Sequence, residues 1–161
     1  MESAGKQLSE PASRSDIHSL LMTQDKATVI LAEDNPGDVF LIRRALDAQQ
    51  LSYELLLARD GEDAMKYVME AASGERKMDL LLLDLNLPRR DGSEVLARMR
   101  SHASLTKVPV VVLTSSDSPQ DRDRCLKLGA SRYFQKPANL AEFMEIGRIA
   151  KELIEGRAAK N

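Results

Sequence analysis

Leu80-Leu81-Leu82-Leu83-Asp84 is the stretch that decides the fold predicted for this chain. Four consecutive leucines give a strand apolar side chains on both faces, which is typical of a parallel sheet covered by helices on both sides. Val29–Leu31 and Val110–Leu113 are continuous apolar runs of the same kind. In all, five runs are predicted as strands: Thr28–Ala32, Tyr53–Ala58, Leu80–Leu83, Val110–Leu113 and Arg132–Gln135.

Helical patterns alternate with these five runs. Val39, Ile42 and Leu46 recur at helical spacing after the first run, and Ser118 and Asn139 are predicted N-caps of the fourth and fifth helices. The alternation predicts an α/β fold, in which a doubly wound five-stranded parallel sheet carries helices on both faces. We expect the flavodoxin-like strand order 2-1-3-4-5.

Length and composition indicate a single domain. The chain has 161 residues, which is enough for one ordinary domain and short for two. Residues 1–26 show no sustained periodicity and are predicted to be a flexible N-terminal extension. The folded domain is expected over 27–155 and a C-terminal tail over 156–161, which leaves no room after the last helix for a DNA-binding or catalytic output domain.

Charge, hydropathy and cysteine content exclude several classes of partner. A net charge of −2 creates no global field that would attract nucleic acid or an anionic membrane. No apolar run approaches the roughly 18 residues of a membrane span, and we see no secretory signal. The lone cysteine, Cys125, is predicted to be a buried or half-buried helix residue, and His18 and His102 to be solvated or capping residues. We expect a cytoplasmic protein.

Three carboxylates follow predicted strands at the edge of the sheet where ligands bind. Glu33 and Asp34 follow the first strand and Asp84 follows the third, so they flank the point where the strand order reverses. Taken alone, Asp84 is better explained as a turn or N-cap residue. Packed together, however, the acids would repel one another, and Mg²⁺ is a hard cation that prefers oxygen ligands. The predicted ligands are Asp34, Asp84 and the backbone carbonyl of Asn86, with Glu33 acting partly through water.

Two further polar side chains follow the last two strands. Thr114 ends the fourth strand and Lys136 follows the fifth, and a hydroxyl and an ammonium at adjacent strand ends suit a phosphoryl group. A surface lysine is the alternative for Lys136, but its position between an apolar strand and Pro137 favours a functional role. The bond between Lys136 and Pro137 is also a candidate cis peptide.

These motifs together resemble the receiver domain of two-component response regulators. The resemblance covers roughly residues 27–155, with five motifs in the family's order: Ile30–Asn35, Leu80–Pro88, Asp91–Gly92, Pro109–Thr114 and Tyr133–Pro137. It implies a role for each matched residue. These are Asp84 as phospho-acceptor, Glu33, Asp34 and Asn86 as metal ligands, Thr114 as switch hydroxyl, Tyr133 as the aromatic that changes rotamer with it, and Lys136 as the phosphate-binding lysine.

The resemblance also implies partners. A sensor histidine kinase would supply the phosphoryl group, and the protein would be no enzyme beyond its own phosphorylation and dephosphorylation. Asn35–Asp38, Arg59–Gly61 and Asp84–Leu96 are similar to stand-alone regulators that pair with bacterial phytochromes. Those regulators dimerise through the fourth helix, fifth strand and fifth helix. The N-terminal extension departs from their pattern, and the downstream partner is not indicated.

Three other functions fit the fold less well. A flavodoxin-type FMN carrier needs a first loop that cradles phosphate, whereas Glu33-Asp34-Asn35-Pro36 repels it. A phosphohydrolase of the haloacid-dehalogenase class needs a second aspartate two residues after the first, where this chain has Asn86. A pure interaction module would not need the set of Asp84, Thr114 and Lys136.

Overall fold

A parallel five-stranded sheet organises the protein. The computed structural model describes residues 11, 13–15 and 26–160. Within these residues the strands are β1 (Ala27–Ala32), β2 (Tyr53–Ala58), β3 (Leu80–Asp84), β4 (Val110–Thr114) and β5 (Arg132–Gln135). All neighbouring pairs are parallel and the order is β2-β1-β3-β4-β5, which confirms the predicted fold. The predicted runs agree with the strands to within one residue at each end.

Helices cover both faces of the sheet. They are α1 (Pro36–Asp47), α2 (Gly61–Ala72), α3 (Gly92–Arg100), α4 (Pro119–Lys127), α5 (Leu140–Phe143) and α6 (Glu145–Lys160), with a 3-10 turn at Ala103–Leu105. Successive residues of β3 point to opposite faces, so Leu81 and Leu83 pack with α2, α3 and α4, while Leu80 and Leu82 pack with α1, α5 and α6. The continuous apolar runs therefore reflect two separate core clusters.

Side-chain caps start the helices where the sequence predicts them. Ser118 accepts a hydrogen bond from the Asp121 amide, and Asn139 accepts bonds from the amides of Ala141 and Glu142. Cys125 is 2% exposed within α4, as predicted, and burial raises the pKa of its thiol. His102 is half-buried and takes the N-cap position of the 3-10 turn that follows α3, in line with the predicted capping role. Its side chain makes no capping hydrogen bond, and its Nε2 is buried with no hydrogen-bond partner among the described residues.

The C-terminal part of the chain differs from the prediction in two ways. The predicted single last helix is divided at Met144 into α5 and α6. The segment 156–161, predicted to be a tail, is helical through Lys160. Arg157 helps to hold this end of the helix, since its guanidinium donates a hydrogen bond of 2.7 Å to the Met78 carbonyl.

Other predictions fall at the chain ends or on single bonds. The predicted N-terminal extension, 1–26, lies outside the described residues except for 11, 13–15 and 26, and His18 lies outside them as well. Among the described residues no peptide bond is cis, so the bond between Lys136 and Pro137 is trans. No helix in the described part of the chain is long and apolar enough to cross a membrane.

Candidate phosphoryl and metal site

Three acidic side chains converge at the carboxyl ends of β1 and β3. Carboxylate oxygens of Glu33, Asp34 and Asp84 all lie within 4.8 Å of one another. Glu33 is 1% exposed and Asp84 is 5% exposed, whereas Asp34 is open to solvent. Because β1 and β3 are neighbours in the sheet, their ends bring together acids that are 50 residues apart in sequence. This is the cluster that the sequence predicted.

Lys136 is the counter-charge of the cluster. Its Nζ lies 2.7 Å from Glu33 Oε2, 2.9 Å from Asp38 Oδ2 and 3.3 Å from Asp84 Oδ2. The lysine side chain is only 10% exposed, so these ion pairs are largely shielded from solvent. The backbone amide of Lys136 donates to the Thr114 carbonyl at 2.7 Å, which fixes the lysine to the end of β4.

Burial and charge shift the pKa values of this ion-pair network. Burial raises the pKa of the Glu33 carboxyl to about 7, although hydrogen bonds from Lys136 and the Asn35 amide act in the opposite direction. Burial by itself lowers the pKa of Lys136. Its hydrogen bonds to Glu33 and Asp38, together with the charge of Asp84, outweigh that effect and raise the pKa above its ordinary value. Lys136 is therefore an ammonium throughout the physiological pH range.

The donor set fits a hard divalent cation. The three clustered side chains offer only carboxylate oxygens, the ligands that Mg²⁺ prefers, and exposed Asp34 leaves one side open to water. The backbone amide of Asn86 donates to Asp84 Oδ1 at 3.1 Å, so the Asn86 peptide lies beside the predicted acceptor. At neutral pH a cation would also relieve the mutual repulsion of the acids.

A second group of residues lies at the end of β4. Thr114 is fully buried, and its hydroxyl oxygen accepts a hydrogen bond of 3.1 Å from the Ser116 amide. The half-buried Tyr133 donates its own hydroxyl to the Ser116 carbonyl at 3.2 Å. Burial raises the pKa of the Tyr133 hydroxyl, so this group remains a donor at neutral pH. Ser116 thus links the predicted switch hydroxyl to the predicted switch aromatic.

Gly92 ties the predicted acceptor to the first turn of α3. A side chain at this position would collide with the Asp84 carbonyl oxygen and would lie 2.8 Å from the Leu85 Cα. The Gly92 amide donates to the Leu85 carbonyl at 3.0 Å. The backbone at Asp84 and the start of α3 are therefore in direct contact, a closeness that only glycine permits.

Two residues of the site were not predicted from the sequence. Asp38 contacts Lys136 directly, and Ser116 contacts both Thr114 and Tyr133. Asp38 lies three residues after Asn35, the N-cap of α1, which places it on the first helical turn beside the end of β1. That spacing was a usable signal for Asp38, whereas Ser116 acts partly through backbone atoms, which any residue supplies.

Fold and site together define a class of protein. A parallel sheet of this order, with an acidic cluster at β1 and β3 and a lysine after β5, is the architecture of a receiver. The family model of the response regulator receiver domain matches residues 29–148. The chain therefore belongs to the response regulator receiver family.

Individual relatives narrow the comparison. The response regulator Rcp1 of Synechocystis sp. is 35% identical over 120 residues, which is 73% of this chain and 82% of Rcp1. The phosphorylated cyanobacterial phytochrome response regulator RcpA is similar in structure, with 35% identity and a TM-score of 0.73 over 81% of this chain and 96% of RcpA. The Mn²⁺-bound form of Rcp1 gives 32% identity and a TM-score of 0.72, covering 80% and 95% of the two chains.

Proposed function

We propose that this protein is a phosphorylation switch that accepts a phosphoryl group on Asp84 from a sensor histidine kinase and requires Mg²⁺ to do so. The observation that carries the proposal is the contact of Lys136 Nζ with Asp84 Oδ2, at 3.3 Å, inside an acidic cluster that can hold a cation. A strand-end carboxylate between a cation site and a buried ammonium is suited to become an acyl phosphate.

The chemical step is a transfer from nitrogen to oxygen. A carboxylate oxygen of Asp84 attacks the phosphorus of a phosphohistidine and forms a P–O bond while the P–N bond breaks. The imidazole leaves with the electron pair and takes up a proton. Lys136 lies close enough to Asp84 to donate a hydrogen bond to a phosphoryl oxygen, and its raised pKa keeps it charged for that role.

Metal and hydroxyl groups complete the proposed site. Glu33, Asp34, Asp84 and the Asn86 carbonyl would hold Mg²⁺, which when bound neutralises charge on the phosphoryl oxygens. Thr114 would donate its hydroxyl to a phosphoryl oxygen and give up its present bond from the Ser116 amide. Because Tyr133 is bonded to the same Ser116, this rearrangement would reach the surface around α4 and β5.

Relatives support the upstream and downstream parts of the proposal. RcpA is described as a phytochrome response regulator and was crystallised in a phosphorylated form, which supports a bacterial phytochrome as kinase. Rcp1 and RcpA are matched over most of their lengths, which supports a stand-alone receiver. Leu126 on α4 and Leu140 at the start of α5 are exposed by 42% and 55%, which supports an output or homodimer surface on the elements beside β5.

Intact-mass analysis tests the proposal. Wild-type protein incubated with Mg²⁺ and acetyl phosphate is expected to gain the mass of one phosphoryl group, and chelation of the metal should prevent the gain. Asp84→Asn should gain none. Asp123→Asn is the matched control, since it removes the same charge from an exposed carboxylate of α4 and should be phosphorylated like wild type.

Two results would count against the proposal. Phosphate uptake by Asp84→Asn at the wild-type level would place the acceptor elsewhere. No uptake by the wild type, from either acetyl phosphate or a phosphorylated kinase, would instead favour the pure interaction module.

A further inference from the structure

The Lys136 ammonium has no hydrogen-bond donor to spare. An ammonium carries three N–H donors. Glu33, Asp38 and Asp84 each supply a carboxylate oxygen within 3.3 Å of Nζ, so the three donors face three acceptors. A phosphoryl oxygen that binds Lys136 must therefore take the place of one of these carboxylates.

Asp38 is the acceptor whose presence the proposed chemistry does not explain. Glu33 is a predicted metal ligand and Asp84 is the predicted phospho-acceptor, whereas Asp38 has neither role. As an acid in the first turn of α1 it also complements the helix dipole. That role requires no contact with a lysine, yet Asp38 Oδ2 lies 2.9 Å from Nζ with the side chain only 24% exposed.

Asp38 also adds charge to a site that is already negative. Without metal, Glu33, Asp34, Asp38 and Asp84 contribute four negative charges when ionised and Lys136 one positive charge, which leaves −3 around the acceptor. A bound Mg²⁺ would reduce this to −1, so the site would still be negative, and Asp38 would account for that remaining charge. Phosphoryl donors are anions. A small donor such as an acyl phosphate must overcome this repulsion with its own few contacts, whereas a kinase domain brings the binding energy of a protein interface.

On the basis of the proposed function, we propose that Asp38 determines donor specificity by holding Lys136 and repelling small anionic phosphoryl donors. Asp38 touches neither the reacting oxygen nor the phosphorus, so it acts as a positioning residue through Lys136. Replacement of Asp38 leaves one N–H donor of Lys136 free and removes one negative charge from the site. Both changes favour the approach of an anion.

Phosphorylation kinetics with acetyl phosphate test this inference. Asp38→Asn and Asp38→Ala are expected to lower the half-saturating acetyl phosphate concentration about fivefold, the scale of a partly exposed ion pair, with less change in the maximal rate. Asp38→Glu keeps the charge and should behave like wild type. Asp63→Asn is the matched control, because Asp63 is the equivalent third residue after the Asp60 cap of α2 and is exposed.

Two further measurements separate an electrostatic role from a merely structural one. Added salt screens charge, so it should narrow the difference between wild type and Asp38→Asn. In metal-free protein, the Lys136 ammonium protons should exchange with solvent faster in Asp38→Ala than in wild type or Asp63→Asn.

Several outcomes would overturn the inference. Unchanged or weaker use of acetyl phosphate by both Asp38 variants, while wild type is phosphorylated normally, would refute the specificity role and leave the proposed function intact. A salt-independent difference would also refute it. Failure of the wild type to take up phosphate from a phosphorylated kinase as well as from acetyl phosphate would refute the proposed function itself.

Discussion

Replacement of Lys136 by methionine is the most demanding stability test of the ion-pair network. The side chains of Glu33 and Asp84 are 0% and 7% exposed, so removal of the ammonium leaves two buried carboxyl groups without their counter-charge. Removing one partner of a buried ion pair costs about 3–5 kcal/mol. The Asp38 side chain is 24% exposed, so the loss of its ion pair adds little to this free-energy cost. In metal-free protein at about pH 8, we expect Lys136→Met to lower the free energy of unfolding by about 3 kcal/mol.

The loss of stability should depend on pH in a defined direction. Burial raises the pKa of Glu33 to about 7 in the wild type, and the hydrogen bond from Lys136 limits that rise, so the pKa of Glu33 is higher still in the variant. The folded variant then keeps a proton that the unfolded chain, with a carboxyl pKa near 4.5, has released. Its stability therefore falls as the pH rises from about 5 to beyond 7. The wild type, in which the pKa of Glu33 is about 7, loses the same contribution up to that pH. The difference between the two proteins should therefore open above about pH 7 and be larger at about pH 8 than in acid.

Urea unfolding followed by circular dichroism, without metal and at both ends of this pH range, measures the effect. Lys127→Met is the matched control. Lys127 pairs with Asp123 at 3.6 Å on the surface, with both side chains more than 70% exposed, so its loss should change stability by less than about 0.5 kcal/mol. The counter-charge role of Lys136 would be refuted by either of two results. One is a loss of unfolding free energy in Lys136→Met that is equally large at both pH values, and the other is a loss no larger than that of Lys127→Met.

Two other predictions follow from the site and its glycine. The pKa of Glu33 is raised to about 7, so this carboxyl gains a proton as the pH drops through 7 and becomes a poorer metal ligand. The Mg²⁺ affinity measured by calorimetry should therefore fall over the same pH range. An affinity that does not change with pH would exclude Glu33 from the metal site. Gly92→Ala should cost about 2 kcal/mol and slow phosphorylation, because its Cβ would collide with the Asp84 carbonyl. Gly156→Ala, where nothing lies within 4 Å, should instead stabilise the protein by about 0.5–1 kcal/mol, and a similar effect of the two substitutions in urea unfolding would contradict the packing argument.

The sequence predicted the sheet well because its signal is local. Each strand is a short aliphatic run, and the N-caps Ser118 and Asn139 mark the starts of helices through their own side chains. The end of α6 was predicted less well. Its last turns carry few apolar residues, and the bond from Arg157 to the Met78 carbonyl, between positions 79 residues apart, is visible only after folding.

The site was predicted as a set of residues but not as a network. Glu33, Asp34 and Asp84 could be placed together because parallel strands end at the same edge. The sequence does not show which acids pair with Lys136. That depends on the direction that the long lysine side chain takes in the folded protein. Asp38 was missed for this reason. It is 98 residues from Lys136 in the sequence, yet its Oδ2 lies only 2.9 Å from the Lys136 Nζ in the folded protein.

The register of β3 with β1 and β4 is not determined by its apolar pattern alone, because four of its five residues are leucines. A shift of one residue would usually expose polar side chains to the core, but here it exchanges one leucine for another on either face. The polar ends of the strand must therefore choose the alignment. Asp79, just before β3, accepts a hydrogen bond of 2.7 Å from the Thr28 amide of β1. The position of Asp84 relative to Lys136 is thus set in part by a carboxylate at the opposite end of the strand.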